Sequence, residues 1–186
     1  MKLIQTAIPD VLIIELKVFG DERGWFMESF NERGFHAGLI ELGLPVPRPF
    51  VQDNHSCSRK GVLRGLHYQL PPFEQGKLVR VVQGAVFDVA VDLRADSPTL
   101  GKHVSVELSA ENRRALWIPE GFAHGFLALE DNTQFIYKTT DYYSKDHERA
   151  IRWDDPILAI AWPDINGLVV SSKDQQASFF NELENN

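Results

Sequence analysis

Between Phe50 and Lys138 the chain reads as short apolar or alternating segments separated by turn residues. In Ala85–Leu93 the alternation is clearest: Phe87, Val89, Val91 and Leu93 interleave with Val86, Asp88, Ala90 and Asp92. A period of two sends these sets to opposite sides of a strand, so one face is pure core and the other carries carboxylates. Asp88 is therefore expected to look into a polar cavity. The pattern also predicts strands over Phe50–Ser56, Val62–Leu70, Leu78–Gln83, Val104–Leu108, Ala115–Ile118, Phe122–Leu129 and Gln134–Thr140. Turn signals fall between them at Arg59–Gly61, Pro71-Pro72, Gly84, Asp96–Pro98, Gly101 and Asp131-Asn132. Many short strands with closely spaced turns predict a mainly β fold, an antiparallel sandwich or barrel.

The flanks read differently. Val11–Phe19 predicts a strand, Gly20–Gly24 a turn and Trp25–Phe30 its partner. Asn31–Leu42 predicts a helix capped by Asn31, with Phe35, Leu39 and Leu42 on one face and Gly43 ending it. Pro45, Pro47 and Pro49 make a stiff connector too short for a domain boundary. The apolar tail, with Trp153 and Trp162, is expected to pack back on the body, and Glu182–Asn186 to fray. A chain of 186 residues suits one domain with a sizeable core: N-terminal strands and helix over 1–49, barrel over 50–140, C-terminal segment over 141–180.

Charge and composition narrow the functions. A formal net charge of −7 argues against a nucleic-acid surface, though a local pocket for an anion remains open. The single cysteine, Cys57, excludes an internal disulfide framework and suits a reducing, cytoplasmic compartment. No apolar run approaches membrane-spanning length, and the opening MKLIQTAIPD lacks a long apolar core.

The chemistry concentrates in Gly61–Gly84, where Arg64, His67, Gln69 and Lys77 sit among strand-forming residues, and in Pro119–His124. Polar groups inside buried sheet need partners or a ligand. Gly61, His67, Gln69, Lys77 and Gly84, followed by Pro119, Gly121 and His124, resemble the two motifs of the cupin superfamily, a small β-barrel that is often a jelly roll. Metal-binding cupins supply three histidines and a carboxylate. Here Gln69 stands at the second histidine position and Lys77 at the carboxylate position. A lysine cation repels a divalent ion, so the expectation is a cupin-like barrel without a metal.

A closer resemblance covers nearly the whole chain. Asp21-Glu-Arg-Gly24, Gln52-Asp-Asn54, Leu63–His67, Gln75-Gly-Lys77, Phe87–Asp92, Trp117–Phe126, Tyr142-Tyr143 and Lys173-Asp174 occur in the order found in the dTDP-4-dehydrorhamnose 3,5-epimerase family. The resemblance implies a cofactor-free isomerase acting on a dTDP-linked 4-keto-6-deoxyhexose. It implies His67 as base, Asp174 holding the other ring nitrogen, Lys77 at the ketone oxygen and Tyr137 returning the proton on the opposite face. It further implies substrate contacts from Arg23, Glu28, Gln52, Asn54, Arg64, His124, Tyr142, Glu148 and Lys173. A homodimer that exchanges N-terminal strands is implied too, so that Arg23 and Glu28 serve the partner's site. Three other readings stay open on the residues alone: a mono-epimerase or ketoisomerase of related sugars, a metal-dependent cupin enzyme, and a non-catalytic sugar-binding barrel.

Overall fold

The alternating segments pair into two antiparallel sheets in the computed structural model, which describes residues 1–185. The strands are β1 (Lys2–Gln5), β2 (Leu12–Glu15), β3 (Val18–Asp21), β4 (Gly24–Met27), β5 (Gln52–Ser58), β6 (Val62–Gln69), β7 (Lys77–Gln83), β8 (Ala85–Asp92), β9 (His103–Ser109), β10 (Ala115–Ile118), β11 (Phe122–Ala128), β12 (Thr133–Thr139), β13 (Glu148–Ala150) and β14 (Val169–Val170). The helices are α1 (Glu32–Glu41) and α2 (Ser172–Gln175), with a 3-10 helix over Phe180–Asn185. One sheet runs β1-β2-β10-β7-β12-β5 and the other β13-β6-β11-β8-β9, with β14 parallel to β6.

The inward faces of the two sheets make one core. Val79, Val81, Leu116, Ile118 and Phe135 from the first sheet meet Val86, Ala90, Val104, Val106, Leu108, Phe122 and Phe126 from the second. The alternating pattern predicts an antiparallel sandwich or barrel, the motif resemblance a cupin-like one, and the structure is a cupin-like β-sandwich. The alternation of β8 resolves as expected. Val86, Asp88 and Ala90 face inward, whereas Val89 and Val91 face out and are covered by Ile151 and Leu158, with Trp162 and Phe180 packed alongside. The apolar tail thus seals the back of the second sheet. The back of the first is sealed by α1, whose Phe35 and Leu39 pack on Leu12, Ile14, Leu78 and Trp117. Asn31 caps this helix, its side chain accepting the Gly34 N–H at 2.9 Å, and Gly43 takes φ +71° just past its end.

Three features differ from the pattern. The apolar run Val11–Phe19 divides: β2 joins the first sheet, while β3 pairs only with β4 in a separate hairpin that exposes Phe19, Trp25 and Phe26. The short β13 and β14 exist because the eight-residue β6 offers them an edge, and β1 adds to the sheet through the equally short β2. Where the sequence predicts fraying from Glu182, the 3-10 helix is held by Phe180 N–H donating to Asp155 Oδ2 at 2.7 Å and Phe179 N–H donating to Glu182 Oε2 at 3.0 Å. Asn186 lies outside the described residues.

Candidate active site

A cavity of about 580 Å³ opens at one end of the sandwich, between the sheets. The first sheet contributes Lys77 from β7, Phe135 and Tyr137 from β12, and Ser56 from β5. The second contributes Arg64, His67 and Gln69 from β6, His124 and Phe126 from β11, and Glu148 from β13. Ser171, Lys173 and Asp174 close it from the α2 segment.

A bulge in β6 builds the second wall. His67 pairs with His124 and Arg64 with Phe126, so two residues of β6 oppose the single Gly125 of β11. Positions three apart in a regular strand point to opposite faces. The extra residue turns both Arg64 and His67 into the cavity. Glycine is required at this crossing: a Cβ on Gly65 would lie 2.5 Å from Gly125 Cα, and one on Gly125 would lie 2.8 Å from the Arg64 carbonyl oxygen.

His67 Nε2 lies 2.7 Å from Asp174 Oδ1. A carboxylate only accepts, so Nε2 carries the proton and Nδ1 is the lone pair left to the cavity. The ring is about one-third exposed, and Asp174 is buried. Asp174 is fixed in turn by the N–H of Gly65 at 3.4 Å on its Oδ2, while its own N–H donates to the capping Ser171 hydroxyl at 3.1 Å. Burial works to raise its pKa, but hydrogen bonding and charge attraction from His67, with smaller help from Gly65 and Ser171, hold it below the usual carboxylate value.

Lys77 is 7% exposed and donates to the His67 carbonyl oxygen at 3.2 Å. Burial pulls its pKa down from 10.5 to about 8, against the opposing pull of Asp88 and Glu148. Tyr137 lines the same cavity from the other sheet. Burial raises its phenol pKa, Glu148 adds to the rise and Arg64 opposes it, so the phenol holds its proton at neutral pH. At the mouth, Glu148 Oε2 accepts from Tyr143 Oη at 2.9 Å and also from Lys173 Nζ. Burial raises the Glu148 pKa, and the bonds from Lys173 and Tyr143 more than reverse this.

The donor set does not suit the metal of other cupins. His67 and His124 bind Asp174 and Asp88 through Nε2 and keep Nδ1 for the cavity, so they hold two of the four ligand positions and the other two decide the matter. Gln69 donates its amide N–H groups to the carbonyl oxygens of Phe73 and Tyr142 at 2.5 and 3.1 Å, and accepts the Ser144 N–H at 2.7 Å. It fastens two loops and has no side-chain oxygen aimed at an ion, and Lys77 brings a cation.

Eight of the thirteen residues singled out in the sequence converge on the cavity: Arg64, His67, Lys77, His124, Tyr137, Glu148, Lys173 and Asp174. Five do not. Arg23 is exposed at the tip of the β3–β4 turn and paired with Asp21, and Glu28 follows β4, also exposed, away from the cavity. Tyr142 is 62% exposed and off the cavity; its neighbour Tyr143, also exposed, lines the mouth instead. Gln52 and Asn54 hydrogen-bond each other at 3.0 Å on the strand face that leads to cavity-lining Ser56, and Gln52 accepts the Tyr143 N–H at 3.1 Å. Sequence reading left out Gln75 and Ser171, both at the cavity. Ser171 was findable as the cap in Ser171-Ser-Lys-Asp174.

Fold and cavity together define a cupin-like sandwich protein whose pocket carries acid–base groups in place of metal ligands. Comparison with known proteins is consistent from end to end. The family model described as dTDP-4-dehydrorhamnose 3,5-epimerase matches residues 5–182. The chain belongs to that family. It is 63% identical over 174 residues to the dTDP-4-dehydrorhamnose 3,5-epimerase of Shigella flexneri, covering 94% of this chain and 93% of that one. The dTDP-6-deoxy-D-glucose-3,5-epimerase of Legionella pneumophila, solved in complex with dTDP-4-keto-L-rhamnose, superposes with TM-score 0.90 at 51% identity, covering 97% and 93% of the two chains. A 3'-monoepimerase from Streptomyces bikiniensis, in complex with dTDP-quinovose, also superposes, with TM-score 0.88 at 31% identity over 100% and 90%.

Proposed function

We propose that the chain inverts C3 and C5 of dTDP-4-dehydro-6-deoxy-D-glucose to give dTDP-4-dehydro-L-rhamnose. Both carbons flank the 4-ketone, so removing either hydrogen as a proton gives an enolate and no redox cofactor is needed. His67 Nδ1 takes the proton, and the resulting imidazolium is stabilised by Asp174. The electron pair moves onto the ketone oxygen, where the Lys77 ammonium balances the new charge. Tyr137 then gives its phenolic proton to the same carbon from the other wall, and the enolate collapses back to the ketone with the configuration inverted. Solvent takes the proton from His67 and returns one to Tyr137, and a second round treats the other carbon.

The observation that carries this reading is the His67–Asp174 pair at 2.7 Å in one wall with Tyr137 in the opposing one. Arg64 and Lys173 add positive charge for the diphosphate. On this reading the chain acts as one domain, with Gln52, Asn54 and Tyr142 along the nucleotide's path. Arg23 and Glu28 reach a partner subunit's cavity through the exposed aromatic hairpin in a homodimer; what supports this is that both are exposed and neither lines the cavity of its own chain. A reducing cytoplasmic setting accords with the free Cys57 and with the finding that, among the described residues, no helix is long and apolar enough to cross a membrane.

Proton NMR of the protein with dTDP-4-keto-6-deoxyglucose in D₂O tests the proposal. Deuterium at both C3 and C5 with formation of the L-sugar is expected. Exchange and inversion at one carbon only would favour the mono-epimerase reading, which the Streptomyces bikiniensis likeness keeps in view. No exchange at either carbon would refute both.

A further inference from the structure

His67 has a counterpart. Directly opposite it in the β6–β11 register stands His124, and this histidine also binds a buried carboxylate: its Nε2 lies 3.0 and 2.9 Å from the two oxygens of Asp88. Asp88 is fully buried on the inward face of β8. His124 is 7% exposed, lies 5.9 Å from Phe135 in a stacked arrangement, and lines the cavity. Both pairs set Nε2 on a buried carboxylate, His67 on one oxygen and His124 between two, and the proposed mechanism uses only the first.

We propose, building on the epimerase reading, that Asp88 is a positioning residue: it locks His124 with the proton on Nε2 and so makes Nδ1 a fixed hydrogen-bond acceptor for a ring hydroxyl of the sugar. The chemistry follows from the contacts. A carboxylate that receives Nε2 on both oxygens must be given a proton there, which leaves Nδ1 bare in the neutral ring. The hydrogen bonds that hold the His124 ring are both at Nε2, and the ring lines the cavity. An acceptor suits a sugar whose hydroxyls need one, because the neighbouring groups Lys77 and Arg64 only donate.

The second pair is also poorly suited to be the base. A general base must pass its proton on after each turnover. The His67 ring is about one-third exposed, whereas His124 is held between Asp88 and Phe135 and is nearly closed off. The fixed ring therefore orients the sugar and the more open ring does the proton transfer. Removing Asp88 frees His124 to take the other tautomer, with a donor where the hydroxyl needs an acceptor. Loss of a group that orients a ligating or catalytic histidine costs about 10- to 100-fold in related settings.

The first test needs no variant. Nitrogen-15 NMR of the histidine-labelled wild-type protein at neutral pH should show His124 as the neutral Nε2–H tautomer; an Nδ1–H tautomer or a ring protonated at both nitrogens overturns the proposal. The second uses Asp88→Asn. It should lower kcat/KM for the ketosugar by about 10- to 100-fold while leaving the affinity for dTDP alone within about twofold. Deleting the C2 or the C3 hydroxyl from the substrate should weaken wild type but add little to the Asp88→Asn defect in D₂O exchange. Equal, additive losses in both proteins would reduce Asp88 to a structural role. Failure of wild type to exchange deuterium at all would instead indict the epimerase reading, and the tautomer measurement is independent of that outcome.

Discussion

Replacing Lys77 with methionine should make the protein more stable and less active at the same time. The side chain is buried, it donates to the His67 carbonyl oxygen, and its pKa falls from 10.5 to about 8. Keeping the ammonium charged in the folded state therefore costs about 3 kcal/mol, from about 1.36 kcal/mol for each pH unit between the two values. The sign follows from proton binding. Between about pH 8 and 10.5 the unfolded chain holds the lysine proton and the folded chain releases it, so wild-type stability rises through that window from this group. Below about pH 8 the whole penalty is present. Lys77→Met keeps the length and apolar stem and removes the charge. It should gain up to about 3 kcal/mol at pH 7, about 6 to 12 °C in Tm for a chain of this size, and the gain should shrink toward zero by about pH 10.5. Turnover should fall about a hundredfold or more, because the enolate loses its counter-charge. Denaturant titrations of ligand-free wild type and variant at pH 7 and pH 10, at one protein concentration, read this out. A variant no more stable than wild type at pH 7, or a gain that does not change with pH, would refute the reasoning.

The other predictions concern the remaining groups. His67→Ala should lower turnover by about two to four orders of magnitude with nucleotide affinity nearly intact, as measured by steady-state kinetics and dTDP titration; near-normal deuterium wash-in would assign the base elsewhere. Asp174→Asn should impair turnover while retaining the fold, since the imidazole loses the carboxylate that orients it. Activity should survive exhaustive chelation, because Gln69 is committed to backbone partners and Lys77 is a cation; loss in EDTA restored by one divalent ion would contradict this. Gly125→Ala should destabilise by about 1 to 3 kcal/mol and reduce turnover, since its Cβ would meet the Arg64 carbonyl oxygen at 2.8 Å and disturb the bulge; a thermal melt and rate equal to wild type would show that the crossing has slack.

Much of the sandwich was legible because its physics is local. The period-two alternation of β8 sorts inward from outward residues, and Asn31 and Gly43 bracket α1 by their own backbone and side-chain chemistry. The edge strands β1, β13 and β14 were not legible. At two to four residues each, they are defined by the strands they join. The break after Glu15 was hidden for a similar reason: apolar and β-branched residues continue across it, and only the tertiary arrangement separates β2 from the hairpin. In the site, single polar residues inside strands flagged Arg64, His67 and Lys77. Their convergence needed more. Arg64 and His67 share a wall through a bulge that spacing alone contradicts, and Asp174 reaches His67 across 107 positions. The placing of Tyr142 off the cavity and of Tyr143 at its mouth depends on a loop tied down by Gln69 and Gln52.

The central claim is that two opposed groups, one on each sheet, handle the two faces of the enolate. Tyr137→Phe tests it most directly, since it removes one hydroxyl and little else. Proton NMR in D₂O should show the variant still exchanging deuterium at one or both carbons through His67, while formation of the doubly inverted L-sugar falls sharply. Formation of that sugar at the wild-type rate would contradict the claim and move the second face to another donor, with Tyr143, which also lines the cavity, next to be replaced.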